Sequence, residues 1–315
     1  MLSQELQRPS ANFMDAHVSA VPSTLSCVDD WTDNDWAGFR WSVWVPFSGG
    51  NTKFWPKSPG LYRVRVQDTR QLAYIGQTGD LRSRLQSLRS GTLKAKMPWN
   101  DPHTAAPGLW AWKDAIGSAF EASAAPLDVS REQRLAAECM LLWHYRRAAG
   151  RSTLCNHGHF HGGYRRPGNR KSGRCGARLE LQGAGSAYQD SLPGLQAQGS
   201  PCSDDWMGLE WTPFAPISNV VHQPGMFLYR LRAKDVDTVC YIGQTSDLSG
   251  RMRDHASTFA PVAPEVSHLA KPLGGGIVHA LELENDLIGA FFASQGTAPR
   301  FQFRAGTMDK HLERT

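Results

Sequence analysis

LAYIGQTGDLRSRL (72–85) returns 167 residues later as VCYIGQTSDLSGRM (239–252). The shared string YIGQTxDL is too long to arise by chance, so the chain reads as two copies of one module. In copy one, PGLYRVRV (59–66) alternates apolar and polar residues, and the turn residues QDTR join it to the β-rich QLAYIG (71–76). That pattern predicts a hairpin, followed by a polar helix that Thr78 or Asp80 would cap. A third strand, AFEASAAPL (119–127), leads into a helix from about Arg131 to Ala149 closed by Gly150. Copy two repeats the order as PGMFLYRLRA, VCYIG and DLSGRMRDHA, ending in a helix over about 277–294 before Gln295 and Gly296. A second echo, WVPFSGG (44–50) and WTPFAPI (211–217), also lies 167 residues apart.

Around this repeat, 1–26 reads as an unpatterned arm and 27–183 as module one with a basic C-terminal loop. The Gly, Ala, Ser, Gln and Pro of 184–201 read as a linker, and 202–315 as module two, partly degenerate. The 315 residues suit about two domains. Six scattered cysteines without a CxxC pair read as reduced thiols. No apolar run reaches the roughly 18 residues of a membrane span, and the first ten residues lack signal-peptide order, so a cytoplasmic chain without membrane association is expected. Charge is uneven. Residues 1–183 carry 24 Lys and Arg against 15 Asp and Glu, whereas 184–315 carry 10 against 14. The first half therefore offers the surface for a polyanion.

The last helix of each copy places an acid in an apolar stripe. Glu138 falls among Leu135, Leu141, Leu142 and Tyr145, and Glu284 among Leu281, Leu287, Ile288 and Phe291, at helical spacing. Burying an unpaired carboxylate is costly, so a glutamate kept there twice calls for a cationic partner.

PGLY, YIG, the arginine ten residues after the second tyrosine, and the helical ExxLL or ExxLI together resemble the GIY-YIG nuclease family, over roughly 44–160 and 211–303. The resemblance implies an α+β fold in which each module is a small three-stranded antiparallel sheet flanked by helices. It also implies hydrolysis of DNA phosphodiesters with one divalent cation, Mg²⁺ or Mn²⁺, on Glu138 and on Glu284. In copy one it assigns Tyr62, Tyr74, Arg84, Glu138 and Asn156, with Leu88 where many members have histidine. In copy two it assigns Tyr241, Arg251, His255 and Glu284. There, aligning PGMF on PGLY sets Phe227 where the first tyrosine belongs, with Tyr229 as a substitute, and Gln302 replaces asparagine.

The residue types suit the chemistry. A hard divalent ion favours carboxylate and water ligands, an arginine fork fits phosphate, and a tyrosine becomes a useful base only if a nearby cation lowers its pKa from about 10. Arg84 beside the two tyrosines is the candidate cation. After the helix, 156–179 holds six Lys and Arg, three alternating histidines and no acid. Its Gly and Pro predict an irregular DNA-contacting loop, with Arg165, Arg166, Arg170, Lys171 and Arg174 on phosphates. Cys155, His157, His159, His161 and Cys175 match no common zinc spacing. Trp99 and Trp110 are the tryptophans to consider against DNA.

The reading is a metal-dependent endonuclease of double-stranded DNA, in restriction or defence, with copy one the cutting centre and copy two chiefly a structural or DNA-positioning partner. One working centre per chain would imply nicking or a homodimer. A DNA-binding scaffold with vestigial centres, and a nuclease of branched or damaged DNA, fit the same residues.

Overall fold

The computed structural model describes residues 30–49, 54–100, 105–180 and 190–303. The proposed N-terminal arm and the first part of the linker lie outside them. The chain forms two antiparallel α+β units with the same strand order. The first contains β1 (Val45–Pro46), β2 (Gly60–Val66), β3 (Leu72–Thr78), α1 (Leu81–Thr92), α2 (Ala105–Ile116), β4 (Phe120–Pro126) and α3 (Arg131–Ala149). A hairpin of β5 (Tyr164–Arg165) and β6 (Ala177–Arg178) follows. The second contains β7 (Ala215–Pro216), β8 (Pro224–Ala233), β9 (Val239–Asp247), α4 (Leu248–Thr258), β10 (Pro264–His268) and α5 (Ile277–Gln295). The sheet orders are β1-β4-β2-β3 and β7-β10-β8-β9. Each sheet thus has four strands rather than the expected three, because a two-residue strand pairs with the outer edge of β4 or β10.

Local chemistry sets the boundaries. Asp80 accepts from the Ser83 amide and caps α1, and Asp247 does the same for α4 through the Gly250 amide. Gly150 and Gly296 end α3 and α5 at φ 69° and 70°, where a Cβ is unwelcome. The alanine-rich β4 is a strand despite its composition because both faces are covered. Leu61, Ile75 and Ala125 pack toward α3, while Tyr62, Val64, Ala122 and Ala124 pack with Leu85, Leu88 and Leu109 of α1 and α2.

An aromatic cage fixes the repeat register before each sheet. Arg63, fully buried, lies over the Trp36, Trp41 and Trp44 rings and donates to the Trp31 and Asp33 carbonyls at 2.6 and 2.7 Å. Arg230, also fully buried, lies over Trp206, Trp211 and Phe214 and donates to the Pro201 carbonyl at 2.6 Å. Trp41 and Trp211 each donate their indole N–H to the carbonyl of the tryptophan five residues earlier. Trp211 is therefore the counterpart of Trp41, and Phe214 that of Trp44. The WVPF and WTPF strings do not superpose, and the true offset before the sheets is 170 residues.

The units join through α3 and α5, which pack along each other. Asn285 Nδ2 donates to the Cys139 carbonyl at 3.1 Å, and a Cβ at Gly289 would lie 2.6 Å from the same oxygen. Trp143 of α3 enters the second unit's core, and Phe292 of α5 enters the first's. The described part of the linker is built into this joint: the Leu195 carbonyl accepts from the Trp143 indole at 2.8 Å, and its amide donates to Asp286 at 3.0 Å. Fully buried Glu282 gathers the rest. It accepts from Ser152 and Ser191 hydroxyls at 2.6 Å each, from the Leu192 amide at 3.0 Å, and contacts His159 Nε2 at 2.7 Å and Arg146 at 3.4 Å.

Candidate active centres and basic surface

Tyr62 on β2 and Tyr74 on β3 stack with ring centroids 6.0 Å apart and planes at 24°. The hairpin register, Tyr62 opposite Gly76, makes this possible. A Cβ at Gly76 would stand 2.4 Å from the Tyr62 hydroxyl and 2.8 Å from the Tyr74 ring, so the YIG glycine is the space in which the first tyrosine lies. Arg84, one turn into α1, donates from Nε to the Tyr62 hydroxyl at 2.9 Å. Glu138 comes from α3 on the same side, half-buried, within the electrostatic reach of Arg84 and of the Gln77 amide. Burial pushes its carboxyl up to about 8, although Arg84 and the Gln77 amide oppose the shift.

Arg84 by itself does not bring the tyrosine pKa values down. Burial raises Tyr62 to about 12, outweighing Arg84, and raises Tyr74 well above its ordinary value. In this state Tyr62 is a neutral hydroxyl held by an arginine, not a phenolate base.

Copy two reproduces the geometry. Tyr229 and Tyr241 stack at 6.0 Å and 24°, and Gly243 lies beneath them as Gly76 does. The first tyrosine of copy two is thus Tyr229, not Phe227. Phe227 pairs with Thr245, the register place of Gly60, because two more residues separate Pro224 and Gly225 from the tyrosine than separate Pro59 and Gly60 from Tyr62, and the pairing of β8 with β9 is irregular between Pro224 and Phe227. His255 stands where copy one has the buried Leu88, and its Nε2 meets the Tyr229 hydroxyl at 2.8 Å. Arg251 is exposed, and half-buried Glu284 is pushed up to about 7 by burial, against the Gln244 amide and Arg251.

Asn156 lies apart from this cluster. Its side chain accepts from the Ile75 amide at 3.0 Å and donates to the Ile75 carbonyl at 2.9 Å, clamping the strand that carries Tyr74. Gln302 clamps Ile242 in the same way, at 3.0 Å for both bonds. Gln302 is therefore an equivalent rather than a loss. Among the described residues no group of three or more His, Cys, Asp or Glu lies together as a metal cage.

The chain matches no family model, no curated protein and no solved structure with which it was compared.

The basic tract is more regular than its Gly and Pro content suggested. β5 and β6 form a hairpin whose buried Tyr164 donates to Asp114 of α2 at 2.6 Å. Trp110 and Trp112 of α2 pack edge-on to Tyr164 and His161. α2 is thus the support of the hairpin, and half-buried Trp110 is packing surface; the sequence there shows no clean helical period, and Pro107 and Gly108 fall in its first turn. Arg165, Arg170, Lys171 and Arg174 are exposed. Arg166 is exposed too, but it lies over the Phe160 ring and donates to the Gly158 carbonyl, which makes it a brace for the loop. The histidines have other employment: His159 on Glu282, His161 on Trp112. Glu282 falls outside the apolar stripe that carries Glu284, so its spacing gives no signal of its role.

Proposed function

We propose that the chain is a divalent-metal-dependent endonuclease of double-stranded DNA, built from two GIY-YIG-like modules. The observation that carries this reading is the constellation itself. A stacked tyrosine pair, an arginine one helical turn away and a half-buried glutamate recur on equivalent elements in both units. Structural tyrosines have no need of a glutamate kept beside them in a costly half-buried place.

The donor set fits Mg²⁺ or Mn²⁺. Glu138 and Glu284 each offer a carboxylate whose ionised form is disfavoured by burial, so a cation would relieve it, and one carboxylate with waters is an ordinary shell for such an ion. Bound there, it would supply charge stabilisation for the phosphate and the leaving oxygen. The chain's own groups do the rest. Arg84 presents a guanidinium to a phosphate oxygen while orienting the Tyr62 hydroxyl. The Tyr62 hydroxyl, neutral and fixed, accepts from Arg84 and holds the attacking water by its remaining hydrogen. Water oxygen bonds to phosphorus, one ester P–O bond breaks, and the water's proton passes to the leaving oxygen. One end then carries a phosphate monoester and the other a hydroxyl. The exposed basic hairpin supplies sequence-independent grip on the backbone. A chain that cuts duplex DNA in this way fits restriction or defence.

The test is plasmid cleavage with Mg²⁺ and Mn²⁺ on methylated and unmodified DNA. Glu138→Ala should lower the cleavage rate at copy one by at least about 100-fold while DNA affinity stays within about twofold. A wild-type protein that binds duplex DNA yet cuts none under any of these conditions would make it a binding protein instead.

A further inference from the structure

We infer that the two copies cut opposite strands of one duplex, so that a single chain makes a double-strand break. This rests on the nuclease reading above and goes beyond it, because the sequence alone pointed to a silent second copy.

The two losses that argued for silence are absent. Tyr229 occupies the first tyrosine's place, with the ring geometry of its counterpart, and Gln302 makes both bonds of the Asn156 clamp. The decisive observation concerns how the copies are joined. α3 and α5 are equivalent helices of 19 residues each, and the ninth residue of one meets the ninth of the other, Asn285 on Cys139. Exchange runs both ways across this point. Arg146 donates to the Glu282 carbonyl, and their counterparts, Phe292 and Ala136, share one apolar cluster. A contact of i with j matched by j with i is the signature of an isologous joint, with its two-fold axis through Cys139 and Asn285. The chain is an intramolecular version of a symmetric dimer.

The antiparallel strands of duplex DNA carry two-fold symmetry of their own, perpendicular to the helix axis, and a two-fold protein meets both strands alike when the axes coincide. Glu138 and Glu284 are the residues directly before Cys139 and Asn285. With successive Cα atoms about 3.8 Å apart, this holds the two glutamate backbones on the order of 15 Å from each other. That span reaches phosphates facing each other across one groove, not positions a full helical turn of about 34 Å apart. The acidic balance of the copy-two half does not oppose this: α2 and the basic hairpin belong to copy one alone and hold the duplex for both centres.

The experiment follows supercoiled plasmid, unmodified and methylated, with Mn²⁺ and Mg²⁺. Wild type should yield linear DNA at a rate first-order in protein. Glu138→Gln and Glu284→Gln, which remove charge at constant volume, should each stop at nicked circles, and the double variant should leave the plasmid supercoiled. Arg251→Ala, at an exposed site, should also stop at nicked circles whatever the folding of the glutamate variants. Sequenced ends should lie within about half a helical turn of each other. If Glu284→Gln and Arg251→Ala linearise plasmid at the wild-type rate, copy two is silent and this inference falls while the nuclease reading stands. A rate second-order in protein would replace it with cutting by a dimer. Wild type that cuts nothing under any condition ends both.

Discussion

Replacing Glu282 by glutamine should loosen the joint between the two units more than any other single change of equal size. The side chain is fully buried, it accepts hydrogen bonds from two hydroxyls and one backbone amide, and it lies against His159 and Arg146. The amide keeps one acceptor oxygen but turns an NH2 group toward groups that donate to the carboxylate. Breaking one partner of a buried charged pair costs about 3–5 kcal/mol. Asp286 remains 2.6 Å from Arg146, which places the loss near the lower end, at about 3 kcal/mol. For a chain of this size that corresponds to a fall in melting temperature of about 4–5 °C. Urea unfolding of both proteins measures it directly. The pH dependence has a definite sign. Burial works to raise the Glu282 pKa, but the His159 hydrogen bond, the Arg146 charge and the two hydroxyls outweigh it and hold it below the ordinary 4.5. A depressed carboxylate contributes fully above its unfolded value and loses that contribution as pH falls below it. The gap between wild type and variant should therefore shrink as pH falls from about 5 toward 3. A gap under about 0.5 kcal/mol, or one that does not narrow in acid, would refute the role given to this carboxylate.

Changing Arg165, Arg170, Lys171 and Arg174 together to glutamine, and sparing the bracing Arg166, should weaken DNA binding across sequences and reduce the slope of log affinity against log salt by about 3, measured by fluorescence anisotropy. An unchanged slope would leave the hairpin as solvated surface. Asn156→Ala and Gln302→Ala should each cost about 1–3 kcal/mol in urea unfolding, since each removes the partner of a strand amide and carbonyl. Asn156→Ala should also slow cleavage at copy one by moving the strand under Tyr74, whereas a purely local stability loss would leave the rate of the folded fraction unchanged.

What the sequence determined is what is decided over short distances. The hairpin, a helix cap at Thr78 or Asp80, the ends of α3 and α5 at glycine, and the stripe that carries Glu138 and Glu284 all follow from period, capping and turn chemistry within a few residues. The repeat was legible for the same reason, because a strand, a glycine under a ring and a capped helix must follow each other at fixed spacing. Tertiary structure decided the register between the copies. A string match counts positions along the chain, but a strand's register is set by which side chains fill the cage and the core. Thus Trp211 answers to Trp41 and not Trp44, and two inserted residues move the tyrosine from the aligned Phe227 to Tyr229. Gln302 replaces Asn156 because its amide makes the same pair of bonds to the strand backbone, which composition cannot reveal. The tyrosine pKa was likewise beyond sequence. The arginine was visible, but whether its charge or burial prevails depends on how much water the packed helices exclude, and burial prevails. The joint between α3 and α5 is the furthest from the sequence of all, since Glu282, Arg146 and Ser191 are brought together from three separate stretches only when both modules have folded.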